Sequence, residues 1–386
     1  MNIVFVHDHK FREVNGEYYS PGGLPNGILT RYTDWFGRIT VIGRKIKEDI
    51  IQPTYSKISN SDVTVVTNEN LELLVKKSDA TIARLPSING FKAIHYAKKY
   101  NKPYLVEVVG CTFDAYWNYG LKGKIVAIPA YMIMRHYIKN APYALYVTSE
   151  FLQRRYPNNG KTIGVSDVAI ESSDKTILEK RIKKIRNNKN IIVLGTAAAV
   201  DVGYKGQEFV IKAIPDIMKA IGKDVFYELC GAGDPQRLTN IAREYGVSEN
   251  VIIKGTIKHD EIFEWYDSID IYIQSSLLEG LSRAVVEAMS RGLPCIAANK
   301  GGNPELIEKE YLFKIGRESN ISNEICECIK KISSIDNMEQ TASRNYLLSN
   351  SLFDQNTLNS KRVKFYSSFK EFICMRGTKN RHVSSN

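Results

Sequence analysis

SSLLEGLSRAVVEAMSRGLPCIAANKGGNPE, running from Ser275 to Glu305, contains the alternation on which the rest of the chain is built. Just before it, Ile269-Asp-Ile-Tyr-Ile-Gln274 is apolar enough for a buried strand. From Arg283 to Arg291 the side chains of Val285, Val286, Ala288 and Met289 recur at helical spacing, and Gly292-Leu-Pro294 stops the helix. Cys295-Ile-Ala-Ala298 reads as another short strand, leading to Gly301-Gly302. Glu279 therefore falls between a strand's carboxyl end and a helix N-terminus, and Glu287 lies within that helix, on the face set by i, i+3, i+4 neighbours. Backbone N–H groups at Gly280, Leu281 and Ser282 lack intrahelical acceptors and suit a diphosphate. Carboxylates for sugar and ribose hydroxyls, beside amides for phosphates, are the chemistry of a bound nucleotide. Two glutamates eight positions apart would by themselves be a solvated helix face; the intact flanks argue against that plain reading.

The remaining composition bounds the class. A chain of 386 residues accommodates two ordinary domains, and 43% hydrophobic with 25% charged residues describes a folded protein. Six cysteines are scattered, and Cys326-x-Cys328 is not a Cys-x-x-Cys pair, so zinc and redox chemistry are not indicated. Met1-Asn-Ile-Val-Phe-Val-His7 enters a strand without a charged leader, and no apolar run approaches the ~20 residues that span a bilayer. These readings predict a cytoplasmic protein. The net charge of +11 is uneven: residues 1–165 hold 22 Lys and Arg against 13 Asp and Glu, whereas residues 191–386 hold 24 against 25. A basic first half suggests an anionic surface or ligand there. Nucleic acid is disfavoured, since no zinc finger, basic zipper or aromatic RNA-binding motif accompanies the charge.

Short apolar runs alternate with helical stretches through the first half, at Ile3–Val6, Ile39–Ile42, Val63–Val66, Ala80–Ala83, Tyr104–Val109 and Ala144–Thr148. That alternation predicts a parallel sheet covered by helices, with ligands at the strands' carboxyl ends. After the first strand a long loop is predicted from His7 to Gly23, in which Gly22-Gly23 would let the backbone approach a phosphate or sugar closely. His7 and His9 have no third ligand at a suitable spacing, so strand-end packing is preferred to a metal. Arg84, after the fourth strand, fits a phosphate or a structural ion pair equally. Asp114, Tyr116 and Trp117 are predicted in a post-strand loop, where a carboxylate and aromatic faces suit a sugar. Leu121–Lys139 mixes Lys122, Lys124, Arg135 and Lys139 with apolar residues; a core helix broken near Pro129 is the plain reading, an interfacial helix the sharper one.

Residues 171–190 read as a charged, partly helical connector. The alternation then restarts at Ile191–Leu194, Val225–Cys230, Val251–Lys254, Ile269–Gln274, Cys295–Ala298 and Leu312–Ile315. Lys205-Gly206 precedes a clear helix, where a primary amine can neutralise a leaving diphosphate. Gly231-Ala-Gly233 closes another strand, and the backbone at His259-Asp260 could border a nucleobase. Asn356–Phe372 has the spacing of a closing helix, and Gly377–Asn386 reads as a frayed tail.

Glu279-x7-Glu287, the small-residue helix, Gly-Leu-Pro, Gly-Gly, Lys205-Gly206 and Gly231-x-Gly233 together resemble the donor-site signature of retaining glycosyltransferases of family 4, of the kind found in bacterial surface polysaccharide biosynthesis. The resemblance spans almost the whole chain and is strongest from Gly195 to Glu305. It implies the GT-B fold: two Rossmann-like domains with parallel sheets facing across a cleft and a C-terminal helix crossing back to the first. The expected boundaries are 1–170 for the acceptor domain, 171–190 for the linker, 191–355 for the donor domain, 356–376 for the crossover helix and 377–386 for the tail. It implies a nucleotide-sugar donor and a glycan or lipid-linked glycan acceptor, at the inner face of the cell membrane when the acceptor is lipid-linked. The expected catalytic residues are Lys205, Glu279 and Asp114; the expected donor contacts are Gly22, Gly23, Gly206, Gly231, Gly233, Gly280, Leu281, Ser282, Arg283 and Glu287. No Asp-x-Asp occurs, so no metal and no other cofactor is expected. The chain departs from the family where an arginine usually precedes Lys-Gly, for which Arg283 is the candidate substitute, and at Val109-Gly110-Cys111, where a histidine is common. A sugar-nucleotide epimerase or hydrolase on the same fold, a transferase with a soluble acceptor, and a non-catalytic binding subunit are the alternatives.

Overall fold

The computed structural model describes the chain except residues 53–54, 68, 119, 172–173, 188–189, 259–260, 316–319 and 384–386, with side chains to Arg376. It divides into two compact units, Met1–Asp167 with Asn359–Asn386, and Val168–Leu358.

The first unit runs through β1 (Ile3–Val14), β2 (Glu17–Ser20), α1 (Asn26–Phe36), β3 (Ile39–Lys47), β4 (Ser56–Lys57), β5 (Val63–Val66), α2 (Leu71–Lys77), β6 (Ala80–Leu85), α3 (Ile88–Lys99), β7 (Tyr104–Val108), α4 (Thr112–Trp117), α5 (Gly120–Lys139), β8 (Tyr143–Tyr146), α6 (Phe151–Arg155) and β9 (Lys161–Gly164). Its parallel strands are ordered β5-β3-β1-β6-β7-β8-β9. Period-2 geometry sends Val4 and Val6 into one core layer with Val106, Met134 and Ile138, and Ile3 and Phe5 into the other with Leu29 and Tyr32.

The loop expected from His7 to Gly23 is largely sheet. β1 continues to Val14, turns at Asn15-Gly16 with φ of 51° and 81°, and pairs antiparallel with β2. Asn-Gly is the sequence that a two-residue hairpin of this hand requires, so the signal was present. Between Val6 and Lys10 the register against β3 slips, because His7, Asp8 and His9 form a bulge. α4 occupies the predicted post-strand loop around Asp114, and α5 runs unbroken through Pro129.

The second unit contains α7 (Lys175–Asn187), β10 (Ile191–Ala197), α8 (Gln207–Ile221), β11 (Asp224–Cys230), α9 (Gln236–Glu244), β12 (Val251–Gly255), α10 (Ile262–Ser268), β13 (Ile271–Gln274), α11 (Arg283–Ser290), β14 (Cys295–Ala298), β15 (Leu312–Phe313), α12 (Ile321–Ile332) and α13 (Ile335–Phe353). All six strands are parallel, in the order β12-β11-β10-β13-β14-β15. The order reverses between β10 and β13, so their carboxyl ends open a crevice at the switch point of a doubly wound sheet. The connector is built into this unit: Arg181 of α7 is buried and donates to the carbonyls of Ile269 and Tyr266, at 2.7 Å each.

α14 (Gln355–Val383) starts in the second unit and contributes everything from Asn359 onward to the first. Its Phe365, Tyr366 and Phe369 fill the core layer shared with Phe5 and Phe36, and its backbone is helical through residues expected to form the tail. Among the described residues, no helix is long and apolar enough to cross a membrane.

Candidate active site

The switch-point crevice of the second unit is built by two chain segments, one leaving β10 and one leaving β13. The first leads through a short turn at Gly203–Lys205 into α8; the second runs from Ser275 to Ser282 into α11. They are stitched together by Leu277 N donating to Tyr204 O at 2.8 Å and Ser275 Oγ donating to Lys205 O at 2.9 Å. Gly206, with φ 71°, is forced by this closeness, since a Cβ there would lie 2.2 Å from the Ser275 carbonyl oxygen.

This stitching brings Lys205 and Glu279 into an ion pair, Nζ to Oε1 at 2.9 Å, with both side chains mostly sheltered. The same carboxylate oxygen accepts from Gln274 Nε2 at 2.9 Å. Gln274 accepts in turn from the buried Tyr272 hydroxyl at 2.9 Å. A buried polar relay therefore rises along β13 and aims Glu279 at Lys205. Beneath the loop, Gly301 has φ 58°, and a Cβ on it would lie 2.1 Å from Glu279 O; the neighbouring Gly302 N donates to Gly280 O at 2.7 Å. The paired glycines let the β14 loop press against the Glu279 loop.

Ser282 is the N-cap residue of α11, and among the described residues no side chain caps that helix. Its first amides, together with the positive end of the helix dipole, suit an anion. Glu287 is the fifth residue of α11 and accepts from the Tyr266 hydroxyl at 3.1 Å. Burial pushes the Tyr272 phenol well above its ordinary value, and the charges of Glu279 and Glu287 both add to the shift. Both carboxylates thus act on one buried hydroxyl. Gly231 and Gly233 follow β11, and their loop is zipped to the β10 loop by Ala198 N to Cys230 O at 2.8 Å and Val200 N to Ala232 O at 2.9 Å. Arg283 is exposed at the first position of α11, and the side chain that the structure sets against Glu279 beside Lys205 is Gln274. His259 and Asp260 lie outside the described residues.

The other expected site residues belong to the first unit. Gly22 and Gly23 precede α1, where the Gly22 carbonyl accepts from Ser20 Oγ at 3.0 Å and Ser20 meets His9 Nε2 at 2.9 Å. Asp114 lies in the first turn of α4 and pairs with Arg155 Nη2 at 2.8 Å; that guanidinium also sits 5.2 Å from the Phe113 ring centre. Arg84 is a structural cation: it is buried and pairs with Glu107 at 3.0 Å and with Asp167. Burial works against its charge, but Asp167 and Glu107 outweigh that and raise it above the ordinary value. Burial, reinforced by Arg84 and His9, pulls His7 down to about 3, and burial with Arg12 pulls His9 to about 4. Among the described residues no three His, Cys, Asp or Glu side chains gather as a metal site would need.

Tyr272, Gln274 and Tyr266 escaped the sequence reading. Their one signal was polar groups in buried segments, in particular the glutamine ending an otherwise apolar strand.

Comparison with known proteins gives this architecture its family. The model of the family described as "Glycosyl transferases group 1" matches residues 174–345. Protein CapJ of Staphylococcus aureus is 35% identical over 338 residues, covering 81% of this chain and 83% of that protein. A GDP-mannose-dependent alpha-(1-6)-phosphatidylinositol monomannoside mannosyltransferase of Mycobacterium tuberculosis is 27% identical over 114 residues, 28% of this chain and 30% of that protein. Among solved structures, HepE of Anabaena in complex with UDP superposes with a TM-score of 0.63 at 18% identity, covering 95% of this chain and 100% of that one. With its two doubly wound units, this chain belongs to the glycosyl transferases group 1 and is a glycosyltransferase of the GT-B fold.

Proposed function

We propose that the chain catalyses retaining transfer, in the manner of family 4, of a sugar from a nucleoside diphosphate donor to a hydroxyl of a lipid-linked glycan in surface polysaccharide biosynthesis. The observation that carries this reading is the Lys205–Glu279 pair at 2.9 Å, set at the switch point beside an α11 N-terminus that no side chain caps among the described residues. In the proposed reaction the diphosphate lies against the amides of Gly280, Leu281 and Ser282, with Lys205 and Arg283 as its cations. Glu287 takes the ribose hydroxyls, Glu279 a hydroxyl of the transferred sugar, and Gly206, Gly231 and Gly233 allow close backbone approach. As the glycosidic bond breaks, charge grows on the leaving phosphate, and fixed donors stabilise it most at that moment. The departing phosphate itself takes the acceptor's proton, so no separate protein base is required. The absence of Asp-x-Asp from the sequence supports charge neutralisation by the protein alone. Gly22 and Gly23 keep the donor contacts that the resemblance implies, and Asp114 is assigned to the acceptor side, where the surplus of nine positive charges in residues 1–165 supports an anionic carrier.

Thermal unfolding with UDP-, GDP- and ADP-sugars tests the donor class, because a ligand that binds only the folded state raises the transition in proportion to affinity and concentration. UDP-sugars are the first arm, since the HepE structures hold UDP and UDP-glucose. A rise with one base and with none of the others is expected. No rise with any donor at millimolar concentration would remove the reading, and donor consumption at the same rate without acceptor would replace transfer by hydrolysis or epimerisation.

A further inference from the structure

α5 is turned the wrong way round for a helix facing water. Gly123, Ala127, Met134 and Ile138 bury its inner side. Its outer side carries Leu121, Ile125, Ile128 and Met132, spaced i, i+4, i+7 and i+11, and they are 81%, 77%, 60% and 57% exposed. Val126 and Ile133 widen the stripe, and Trp117 at the end of α4 is exposed beside its start, with Lys124 Nζ 5.7 Å from its ring centre. A continuous apolar surface of this kind on a folded unit marks a contact site, unlike scattered single exposures. The 20 residues include no Asp or Glu, while Lys122, Lys124, Arg135 and Lys139 border the stripe. Apolar side chains outward, cations alongside and acids absent match an anionic lipid surface, where hydrocarbon accepts the former and phosphates the latter.

The same helix also walls a cavity of ≈ 580 Å³, lined by Ile88, Phe91, Tyr116, Val126, Pro129 and Ile133. This cavity reaches the Arg44–Asp8 ion pair, whose closest atoms are 3.3 Å apart, at the bulge of β1. Val126 and Ile133 thus belong both to the outer stripe and to the cavity wall, so apolar surface continues from the face of α5 into the unit.

We propose that α5 seats the protein on an anionic phospholipid bilayer, with Leu121, Ile125, Ile128 and Met132 entering the acyl boundary and the lysines at headgroup phosphates. The inference deepens the proposed function, resting on its lipid-linked acceptor for the reason such a surface exists.

Sedimentation with vesicles tests it, comparing phosphatidylcholine alone with mixtures containing phosphatidylglycerol. The wild type should bind the anionic vesicles at low salt, release as salt rises, and bind neutral vesicles at least about ten-fold more weakly. Ile125→Gln with Met132→Gln, both on the exposed face, should lower binding about ten-fold or more with all charges intact. Lys122→Gln with Lys124→Gln and Lys139→Gln should abolish the preference for anionic lipid; Arg135 is kept because it donates to the Tyr131 hydroxyl at 2.9 Å. Trp117 emission should shift to the blue on binding, and the shift should vanish in Trp117→Phe. Equal binding to both vesicles, no binding at low salt, or full binding by the Ile125/Met132 variant would each overturn the proposal. So would a wild-type dimer in sedimentation velocity that the same variant converts to monomer without any vesicle binding, since the face would then cover a second copy. All variants should keep the donor-induced rise in unfolding temperature, which depends on the second unit. A missing rise in the wild type with intact vesicle binding would sink the donor reading and leave the bilayer contact standing.

Discussion

Lys205 and Glu279 are 74 residues apart in sequence and share one hydrogen bond. In the resting site each neutralises the other, and a bound diphosphate would compete for the ammonium. Lys205→Ala is therefore expected to lower kcat far more than it weakens donor binding, at a cost of roughly 2–4 kcal/mol in barrier. Steady-state kinetics decide it: a kcat within a factor of about three of wild type, under ~1 kcal/mol, would leave Lys205 a structural cation. The two glutamates should fail differently. Glu287→Ala, which also strips the Tyr266 hydroxyl of an acceptor, should mainly raise the donor KM. Glu279→Ala should depress kcat as well, because its assigned contact is to the sugar that moves. Identical effects confined to KM in both variants would remove the sugar contact assigned to Glu279.

Elements place these residues, and the first strand shows how local strain of charge is tolerated. β1 bulges at His7–His9, and the two imidazoles are held neutral inside the first unit. An unfolded histidine titrates near 6.5, whereas folded His7 is held to about 3. The folded state therefore keeps its full advantage above pH 6.5 and loses it progressively as pH falls from 6.5 toward 3, where the unfolded chain binds the extra proton. His7→Phe, which cannot protonate, should lose about 1–3 kcal/mol less stability than wild type between pH 7 and pH 4, discounted for partial exposure. Urea unfolding at the two pH values measures this; parallel losses in both proteins would show that other groups govern the acid limb. In the second unit the corresponding element is β13, whose Tyr272 and Gln274 carry a polar relay up to Glu279 through an otherwise apolar strand.

At the scale of the molecule, the first unit is completed by the far end of the chain. Phe369 of α14 is buried with its ring 5.1 Å from that of Tyr143 and 6.1 Å from that of Phe36. The Tyr143 hydroxyl donates to Ser368 O at 3.0 Å, across 225 residues. Phe369→Ala should destabilise the first unit by about 3–5 kcal/mol, through lost burial and an unfilled cavity. In thermal unfolding this unit's transition should fall while the donor-induced rise of the second is retained. A stability within ~1 kcal/mol of wild type would mean that α14 is dispensable to that core.

The sequence by itself determined the alternation of strands and helices, because buried parallel strands are written as short apolar runs and their covering helices as 3.6-residue periodicity. It also determined that Lys205, Glu279 and Glu287 lie at strand carboxyl ends or on the helix that follows, since this depends only on local order. The Asn15-Gly16 hairpin was missed, since a loop was expected from His7 to Gly23, although the two-residue turn signal lies in the sequence. What only tertiary structure decided is partnership. Gln274 beside Glu279, Arg155 against Asp114, and Arg84 between Glu107 and Asp167 are meetings between segments 5 to 83 residues apart. The outward turn of α5 was likewise undecidable from its sequence. A helix apolar on both sides carries no periodic sign of which side is covered; here Gly123, Ala127, Met134 and Ile138 form the buried side, with Met134 and Ile138 in the core layer of Val4, Val6 and Val106, and Leu121, Ile125, Ile128 and Met132 face out.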